Sequence, residues 1–230
     1  MIQLLVGKNI LMVHDAFKEQ LILGVNELCL ITTDMLIDKL ILYKDMLLKW
    51  NKSYNLTAIT KPDEVLKYHI LDGLTLVKYL TDTAFNGNII DVGSGMGVPG
   101  IILAICFNNL PITVLDSNKK KTTFLTQIAI ELGLKNLMVE NSRVEGFYPT
   151  KKFDIITSRA FADLQMFVSL TNHLLSPNGY FLAMKGKKTA TEITKIIDYD
   201  CETIKVKIPN TTDLRFLVKI KTNEKHNSNC

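Results

Sequence analysis

The chain has 230 residues, of which 47% are hydrophobic and 22% are charged, and its formal net charge at pH 7 is +4. This composition predicts one substantial hydrophobic core, and the mild positive charge is compatible with nucleic acid without indicating it. No apolar run approaches the ~18 residues of a membrane span, and the start lacks a signal-peptide pattern. The four scattered cysteines indicate neither disulfides nor a metal site. A cytoplasmic protein without metal is therefore expected.

The first third of the chain predicts helices. An amphipathic pattern spans residues 33–49, and Thr33 or Asp34 can cap its first turn. A second helical stretch covers residues 61–80, and the polar and aromatic segment 50–60 between them is predicted to be a structured loop. The residues that precede the first helix are expected to form an extension or a short helix. The apolar face of the first helix contains Leu36, Leu40, Tyr43 and Leu47.

From residue 88 onward, short β-rich runs alternate with amphipathic stretches. This alternation is typical of a parallel sheet with helices on both faces. Two runs near the end, 202–208 and 214–220, predict a β-hairpin, so the fold class is α/β with a mostly parallel, seven-stranded sheet that ends in an antiparallel pair. The other predicted strands are 88–93, 112–117, 136–141, 153–158 and 179–185. The predicted helices between them are 98–107, 119–132, 162–175 and 189–198.

Four glycines lie within "DVGSGMGVPG", residues 91–100, directly after the first of these strands. Glycine lacks a Cβ, so its backbone can adopt positive φ and can approach a ligand closely. A strand that ends in a glycine-rich turn and leads into a helix is a candidate ligand loop. The density and the position of the glycines therefore predict a cofactor site here.

Two cofactors are compatible with this loop. The segment "GMGVPG" satisfies the G-x-G-x-x-G pattern of nicotinamide enzymes, but that motif alone is a weak signal. Asp91 lies within the strand end and favours S-adenosylmethionine, because a sulfonium amino acid needs negative charge nearby rather than a pyrophosphate site. Asp116, at the end of the second strand, can bind the ribose hydroxyls of either cofactor. The residues therefore predict an adenosine-containing cofactor and favour S-adenosylmethionine.

Several stretches of the chain resemble the bacterial 16S rRNA guanine-7 methyltransferase G family, which is also called the glucose-inhibited division protein B family. They are "WNKSYNLTAIT", "HILDGL", "DVGSGMGVPGIILAI", "LDSNKKKTTFL", "NSRVEGF", "FDIITSRAF" and "AMKG", and they follow the family's order from about residue 50 to residue 186. The most specific are "NLTAIT", "SNKKKTTFL" and "SRAF", because a generic methyltransferase lacks them. The chain departs from the family pattern at Gly73, where serine is common, and at Ile102, where proline is usual.

The resemblance implies a class I, Rossmann-like methyltransferase domain over residues 81–230 and an N-terminal helical extension, or lid, over residues 1–80. It implies S-adenosylmethionine as methyl donor and a guanine of 16S rRNA, in the small ribosomal subunit, as acceptor. No membrane or metal partner is expected, and a monomer is the default. With the loop residues Asp91 and Gly95, the predicted cofactor contacts are Gly93, Val98, Asp116, Val144, Glu145 and Arg159.

Methylation of ring nitrogen 7 of guanine is an in-line displacement. That nitrogen has a free lone pair and no proton, so no general base is needed and alignment supplies most of the catalysis. "SRAF", residues 158–161, stands where enzymes that methylate adenine amines commonly have an Asn-Pro-Pro-aromatic motif. No cysteine is placed to act as the nucleophile that methylation of cytosine carbon 5 requires. Arg159 is the predicted positioning residue, since its planar fork suits a carboxylate, a phosphate or the Hoogsteen edge of guanine.

Basic and aromatic side chains near the same edge of the sheet predict an RNA surface. A lysine cluster at the start of a helix interacts unfavourably with the helix dipole, which indicates that the lysines have a function there. RNA phosphate is the obvious partner for them. Phe161 is a candidate for stacking on an extruded base, with core packing as the alternative. The predicted RNA contacts are Lys119, Lys120, Lys121, Arg143, Phe161 and Lys185, and Lys187 and Lys188 extend the same rim.

Three further interpretations stay open at this point. His69 and Asp72 lie three residues apart on one helical face, and a structural hydrogen bond between them is favoured over acid–base machinery. A nicotinamide oxidoreductase is the alternative enzyme. A ribosome-assembly factor that has kept the fold and lost the chemistry is the alternative without catalysis.

Overall fold

A computed structural model describes residues 16–159, 161, 163–186, 189–196 and 198–223. The predicted extension over residues 1–15 lies outside the described residues, as do Lys187 and Lys188. The helices are α1 (16–27), α2 (Asp34–Tyr54), α3 (Pro62–Val65), α4 (Asp72–Asp82), α5 (Gly100–Cys106), α6 (Lys119–Glu131), α7 (Leu164–Thr171) and α8 (Thr189–Ile193). The strands are β1 (Ile89–Val92), β2 (Ile112–Leu115), β3 (Leu137–Glu140), β4 (Phe153–Ser158), β5 (Leu175–Lys185), β6 (Tyr199–Lys207) and β7 (Leu214–Thr222).

The first predicted helix is present as α2 and is longer than expected. Its cap is Thr33, whose Oγ1 accepts a hydrogen bond from the backbone N–H of Leu36 at 3.2 Å. The helix continues to Tyr54, so the first half of the predicted loop 50–60 is helical, which corrects that prediction. Asn55 then ends the helix with φ of 51°, a conformation that asparagine tolerates better than most residues.

The second predicted helical stretch is divided into three parts. Pro62 opens α3 as expected, and α4 begins at Asp72. Between them, the chain forms a π-helical segment over Leu66–Leu71. A π-turn shifts the backbone hydrogen bonds by one residue, and such turns occur frequently at functional sites.

The seven-stranded sheet has the order β3-β2-β1-β4-β5-β7-β6. Strands β1 to β5 are parallel, and β7 runs antiparallel to both β5 and β6. The predicted fold class, including the antiparallel pair at the end, is therefore confirmed. The chain moves outward from β1 to β3 and then returns to β4 on the other side of β1. Ligands of such sheets bind at the carboxyl ends of the strands, next to this reversal.

Two apolar clusters cover the two faces of the sheet. The larger contains the helices α1, α2, α4, α5 and α6 together with sheet residues such as Ile89 and Ile155. The smaller contains α7 and the alternate sheet residues such as Ile90 and Ile156. Successive strand residues point to opposite faces, which explains the alternation between the clusters. The N-terminal helices thus share one core with the sheet.

The two departures from the family pattern contact each other. A Cβ at Gly73, in α4, would lie 3.0 Å from Cγ1 of Ile102, in α5. Glycine therefore leaves room for the branched side chain of Ile102 where these helices pack together. This pairing was not visible in the sequence, where the two positions are far apart.

No helix in the described part of the chain is long and apolar enough to cross a membrane. The same described residues contain no group of three or more His, Cys, Asp or Glu side chains that could hold a metal ion.

Candidate functional site

The glycine loop connects β1 to α5, and Asp91 ties its two ends together. Oδ2 of Asp91 accepts a hydrogen bond from the backbone N–H of Gly100, the first residue of α5, at 2.9 Å. Oγ of Ser94 donates to the backbone oxygen of Asp91 at 2.7 Å. A carboxylate near a helix start also interacts favourably with the helix dipole. The prediction that a carboxylate lies within the end of the strand, beside the loop, is therefore confirmed.

The second oxygen of Asp91 has no hydrogen-bond partner among the described residues, although the side chain is fully buried. Burial raises the pKa of this carboxyl to about 7, and the hydrogen bond from the backbone N–H of Gly100 opposes that rise. An orphaned buried acceptor calls for a partner from outside the described chain. A cationic ammonium group of a ligand would be such a partner.

The glycines of the loop serve two different purposes. Gly95 has φ of +60°, and the only atom within 4 Å of a Cβ placed there is the backbone oxygen of Gly93, at 3.9 Å, so its outer side is open. Gly97 and Gly100 instead allow close packing, because a Cβ at either would lie 2.3 Å from the side chain of Ile101 or Val114. Gly95 is thus the position that leaves the backbone accessible to a ligand.

Asp116 joins the glycine loop to the end of β2. Its Oδ2 accepts the N–H of Gly95 at 3.0 Å, and its Oδ1 accepts the N–H of Asn118 at 2.8 Å. The cap of α6 is Asn118, whose side chain accepts the N–H of Lys120, so Asp116 is not consumed as a helix cap. Each carboxylate oxygen has a further lone pair, and the ribose hydroxyls of a nucleoside could donate to these.

The remaining predicted cofactor contacts lie around this loop with different exposures. Val144 and Glu145 form a 3₁₀ turn after β3; Val144 is buried and Glu145 is exposed. The side chain of Val98 is buried in the larger core cluster. Its approach to a cofactor would therefore involve its backbone rather than its side chain.

Arg159, directly after β4, lies beside the glycine loop. Its Nη1 donates to the backbone oxygen of Tyr68 at 2.6 Å and to Oδ2 of Asp72 at 3.2 Å. Its Nη2 lies 3.9 Å from Sδ of Met96, in the middle of the loop. The guanidinium is therefore fixed by the π-helical segment and by the start of α4, with one edge toward the loop.

The π-helical segment supplies the backbone acceptor for Arg159. The oxygen of Tyr68 also accepts from Nδ1 of His69 at 2.9 Å, and Nε2 of His69 accepts from Oγ1 of Thr57 at 2.9 Å. His69 is thus hydrogen-bonded to Thr57 and Tyr68, and the predicted hydrogen bond between His69 and Asp72 is wrong. Burial, and then the charge of Arg159, lower the pKa of His69 to about 4, so the ring is neutral at pH 7.

Sequence reasoning missed Arg215, which binds the other oxygen of Asp72. Nε of Arg215, at the start of β7, donates to Oδ1 of Asp72 at 3.2 Å. A cavity of about 340 Å³ lies against both arginines and against His69 and Met184. A signal for Arg215 existed, since only three of the 27 basic residues are arginines: Arg143, Arg159 and Arg215.

Sequence reasoning also missed Tyr43. Its buried hydroxyl donates to the backbone oxygen of Met96 at 2.9 Å, and burial raises the pKa of that phenol. The tyrosine was expected only as part of the apolar face of α2. Its hydroxyl group therefore connects the N-terminal helices to the glycine loop by a direct hydrogen bond.

The predicted RNA residues differ in their availability. Lys119, Lys120 and Arg143 are exposed, whereas the ammonium of Lys121 lies 3.6 Å from Oδ2 of Asp116. Nζ of Lys185 donates to the backbone oxygen of Phe161 at 2.8 Å and lies 2.8 Å from Oε2 of Glu192. The ring of Phe161 packs 5.3 Å from that of Phe167, so the core-packing alternative for Phe161 has direct structural support. Lys121, Lys185 and Phe161 therefore already have partners within the protein.

The described residues share their fold with solved methyltransferase structures. A candidate S-adenosyl-L-methionine-dependent methyltransferase from Methanococcus maripaludis aligns with a TM-score of 0.55 and 14% identity, over 79% of this chain and 92% of that chain. A SAM-dependent methyltransferase from Aquifex aeolicus aligns with a TM-score of 0.53 and 16% identity, over 70% of this chain and 98% of that chain. These likenesses confirm the predicted class of fold.

Sequence relatives are much closer. The ribosomal RNA small subunit methyltransferase G of Laribacter hongkongensis is 45% identical over 205 residues, which are 88% of this chain and 97% of the relative. The protein of the same name from Chromobacterium violaceum is 44% identical over 199 residues, 86% of this chain and 94% of the relative. The family model described as GidB, rRNA small subunit methyltransferase G, matches residues 36–214, a range that contains the glycine loop, Asp116 and Arg159. The resemblance seen in the sequence is thereby confirmed, and the chain belongs to the rRNA small subunit methyltransferase G family.

Proposed function

We propose that this protein transfers a methyl group from S-adenosylmethionine to ring nitrogen 7 of a guanine in 16S rRNA, by in-line displacement without a general base. Membership of the family confirms the class of cofactor; the acceptor base and atom belong to the proposal. The observation that carries it is the position of Arg159, whose guanidinium lies between an open glycine loop and a cavity of nucleotide size. A monomer acting on the small ribosomal subunit is part of the proposal.

The residues of the glycine loop fit the predicted cofactor. The unpartnered oxygen of Asp91 suits its ammonium group, the open backbone at Gly95 allows close approach, and Asp116 suits its ribose hydroxyls. We place its adenine beside Val144 and Glu145, at the end of β3. When bound, S-adenosylmethionine supplies an electrophilic methyl group on a sulfonium. The hydrogen bond from Tyr43 to the loop supports the role of residues 1–80 as a lid.

The cavity offers hydrogen-bond donors that suit one edge of guanine. The Hoogsteen edge of guanine presents two acceptors, N7 and O6. An arginine can donate only, so Arg159 would bind O6 and leave the lone pair of N7 directed at the methyl group. The main contribution of the protein would then be to orient the guanine, and orientation alone can lower the activation barrier by up to ~7–11 kcal/mol.

The histidine beside the cavity is engaged elsewhere. Nδ1 of His69 donates to Tyr68 and Nε2 accepts from Thr57, so neither ring nitrogen points to an acceptor base. Its lowered pKa, about 4, also makes it a weak base at neutral pH. Guanine N7 carries no proton to remove. The state of His69 therefore supports a reaction without a general base.

The test uses methyl-labelled S-adenosylmethionine and small ribosomal subunits from cells that lack this gene. After the reaction, the RNA is digested to nucleosides, and label is expected in 7-methylguanosine. Label in another nucleoside would overturn the proposed acceptor atom. Absence of label, with measurable cofactor binding, would overturn the proposed substrate and favour the assembly-factor alternative.

A further inference from the structure

All three arginines of this lysine-rich chain lie near one edge of the sheet. Arg143 follows β3 and Arg159 follows β4, both at the carboxyl ends of parallel strands. Arg215 is the second residue of β7, and its neighbour Phe216 pairs with Lys185, the last residue of β5. Arginine differs from lysine in its planar fork, which binds carboxylate and phosphate with two parallel hydrogen bonds. The location of all three arginines at this edge indicates that binding of a carboxylate or phosphate by the planar guanidinium is required there.

Asp72 joins two of these arginines. Its side chain is 1% exposed, and its two oxygens are divided between Nη1 of Arg159 and Nε of Arg215, each at 3.2 Å. One carboxylate between two guanidiniums leaves a net charge of +1 on the wall of the cavity. Removal of one partner from a buried ion pair leaves an uncompensated charge, so each member depends on the others for its position.

Arg215 keeps its terminal nitrogens available. It uses Nε to bind Asp72, and its Nη1 and Nη2 donate to no residue in the described part of the chain. Its side chain is 29% exposed, and Nη1 lies 3.5 Å from where a Cβ would stand at Gly186, which also lines the cavity. The free edge of the fork therefore faces the cavity, and glycine at 186 leaves it accessible.

We propose that Asp72 is a positioning residue that holds Arg159 and Arg215 as one unit, so that Arg215 binds a backbone phosphate of the acceptor RNA while Arg159 stays at the glycine loop. This inference rests on the proposed function and adds a phosphate-binding arm to it. A phosphate at the fork of Arg215 would fix the acceptor nucleotide relative to the loop. Asp72 acts on the RNA only through the arginines that it holds.

The test is a double-mutant cycle on the full-length protein. Initial rates of methyl transfer are measured against small ribosomal subunits and, separately, against S-adenosylmethionine, for Asp72→Asn, Arg215→Ala and the double variant. Asp63→Asn, an exposed aspartate on α3, is the matched control. We expect Arg215→Ala to raise KM for the subunit about tenfold with KM for the cofactor unchanged. Asp72→Asn is expected to raise the same KM, and the double variant to match Arg215→Ala within about twofold.

A purely structural role for Asp72 predicts a different pattern. The inference would be overturned if the increase in KM of the double variant equals the product of the two single increases. It would also be overturned if Asp72→Asn has the KM of the wild type. Should Asp72→Asn fail to fold, Arg215→Lys decides instead, because lysine keeps the charge and loses the fork. A tenfold higher KM for the subunit in Arg215→Lys supports the inference, and a wild-type KM overturns it. A wild-type protein that binds the cofactor without methylating subunits would overturn the proposed function itself, and this inference with it.

Discussion

The glycine loop and the arginine cavity are neighbours, but the chain builds them in opposite ways. The loop comes from ten consecutive residues, 91–100, and is held by backbone N–H groups that donate to Asp91 and Asp116. The cavity depends on side chains from three remote segments: Asp72 is 87 positions from Arg159 and 143 positions from Arg215. A local pattern encodes the first region, and only the folded chain assembles the second. Substitutions in the loop should therefore alter stability and cofactor binding, and substitutions in the cavity should alter turnover and the KM for the RNA substrate.

The largest effect is expected for Arg159→Ala. Loss of one preorganised donor at a reacting group typically lowers turnover by ~10²–10³-fold, and we expect a decrease of that order in kcat/KM for methyl transfer. The fold should persist, because the side chain of Arg159 is 20% exposed and β4 remains paired on both sides. Thermal unfolding of the same preparation checks this. Arg159→Lys is the matched variant, and its kcat/KM should lie between those of the wild type and the alanine variant, because lysine keeps the charge without the fork. An alanine variant with wild-type kcat/KM would remove Arg159 from the reaction.

The loop offers the contrasting experiment, with an effect mainly on stability. Gly97 has φ of +95°, and a Cβ there would lie 2.3 Å from the side chain of Ile101 and 2.8 Å from that of Leu125. Strain and overpacking together should make Gly97→Ala less stable by about 3 kcal/mol. Gly133→Ala is the control, because Gly133 has φ of +61° with nothing within 4 Å of a Cβ, and about 1 kcal/mol is expected there. Urea unfolding of both variants measures the difference, and equal losses would show that packing at Gly97 does not matter.

The two regions also differ in how far the sequence predicted them. The strand–loop–helix order and the carboxylates Asp91 and Asp116 followed from local patterns, because backbone geometry there is set by adjacent residues. The π-helical segment could not be predicted, since "LKYHIL" has the apolar spacing of an ordinary helix and contains no glycine or proline. Arg215 was assigned only to a strand, because its partner Asp72 lies on α4 and pairs with it through tertiary packing.

A buried acid in the loop and a buried base beside the cavity make opposite contributions to the pH dependence of stability. The pKa of Asp91 rises from 3.8 to about 7, so its contribution is fully present below pH 4 and is lost as pH rises toward 7. The pKa of His69 falls from 6.5 to about 4, so its contribution is present above pH 6.5 and is lost as pH falls toward 4. Between pH 4 and 6.5 the two slopes oppose each other in the ligand-free protein.

When one of the two groups is replaced, the pH dependence of the free energy of unfolding should show the contribution of the other. The free energy of unfolding of Asp91→Asn is expected to rise with pH between 4 and 6.5, and that of His69→Gln is expected to fall. Each slope can approach, at most, about 1.4 kcal/mol per pH unit. Urea titrations at several pH values measure both variants against the wild type. Parallel pH profiles for all three proteins would contradict the pKa shifts at both sites.

A smaller effect is expected where the chain departs from its family. In Gly73→Ser the new Cβ would lie 3.0 Å from Cγ1 of Ile102, so we expect a loss of about 1 kcal/mol in stability. Ile102→Pro should reduce that loss when combined with it, because residue 102 lies in the first turn of α5, where the N–H has no partner within the helix. Thermal unfolding of both single variants and the double variant measures the coupling. Strictly additive losses would mean that residues 73 and 102 are not energetically coupled.

The smallest effect concerns the exposed lysines at the start of α6, which lie outside both regions of the comparison. Lys119 and Lys120 have no ion-pair partner among the described residues, whereas Lys121 lies near Asp116. If the two free lysines each neutralise one RNA phosphate, their replacement by alanine should reduce the slope of log affinity against log salt by about 1.5. Lys121→Ala is the comparison variant, and a change in cofactor affinity rather than in salt slope is expected for it, because its ammonium neighbours the carboxylate of Asp116. Binding of small-subunit RNA at several salt concentrations measures both variants. An unaltered slope in the Lys119→Ala/Lys120→Ala protein would assign those lysines to a solvated surface.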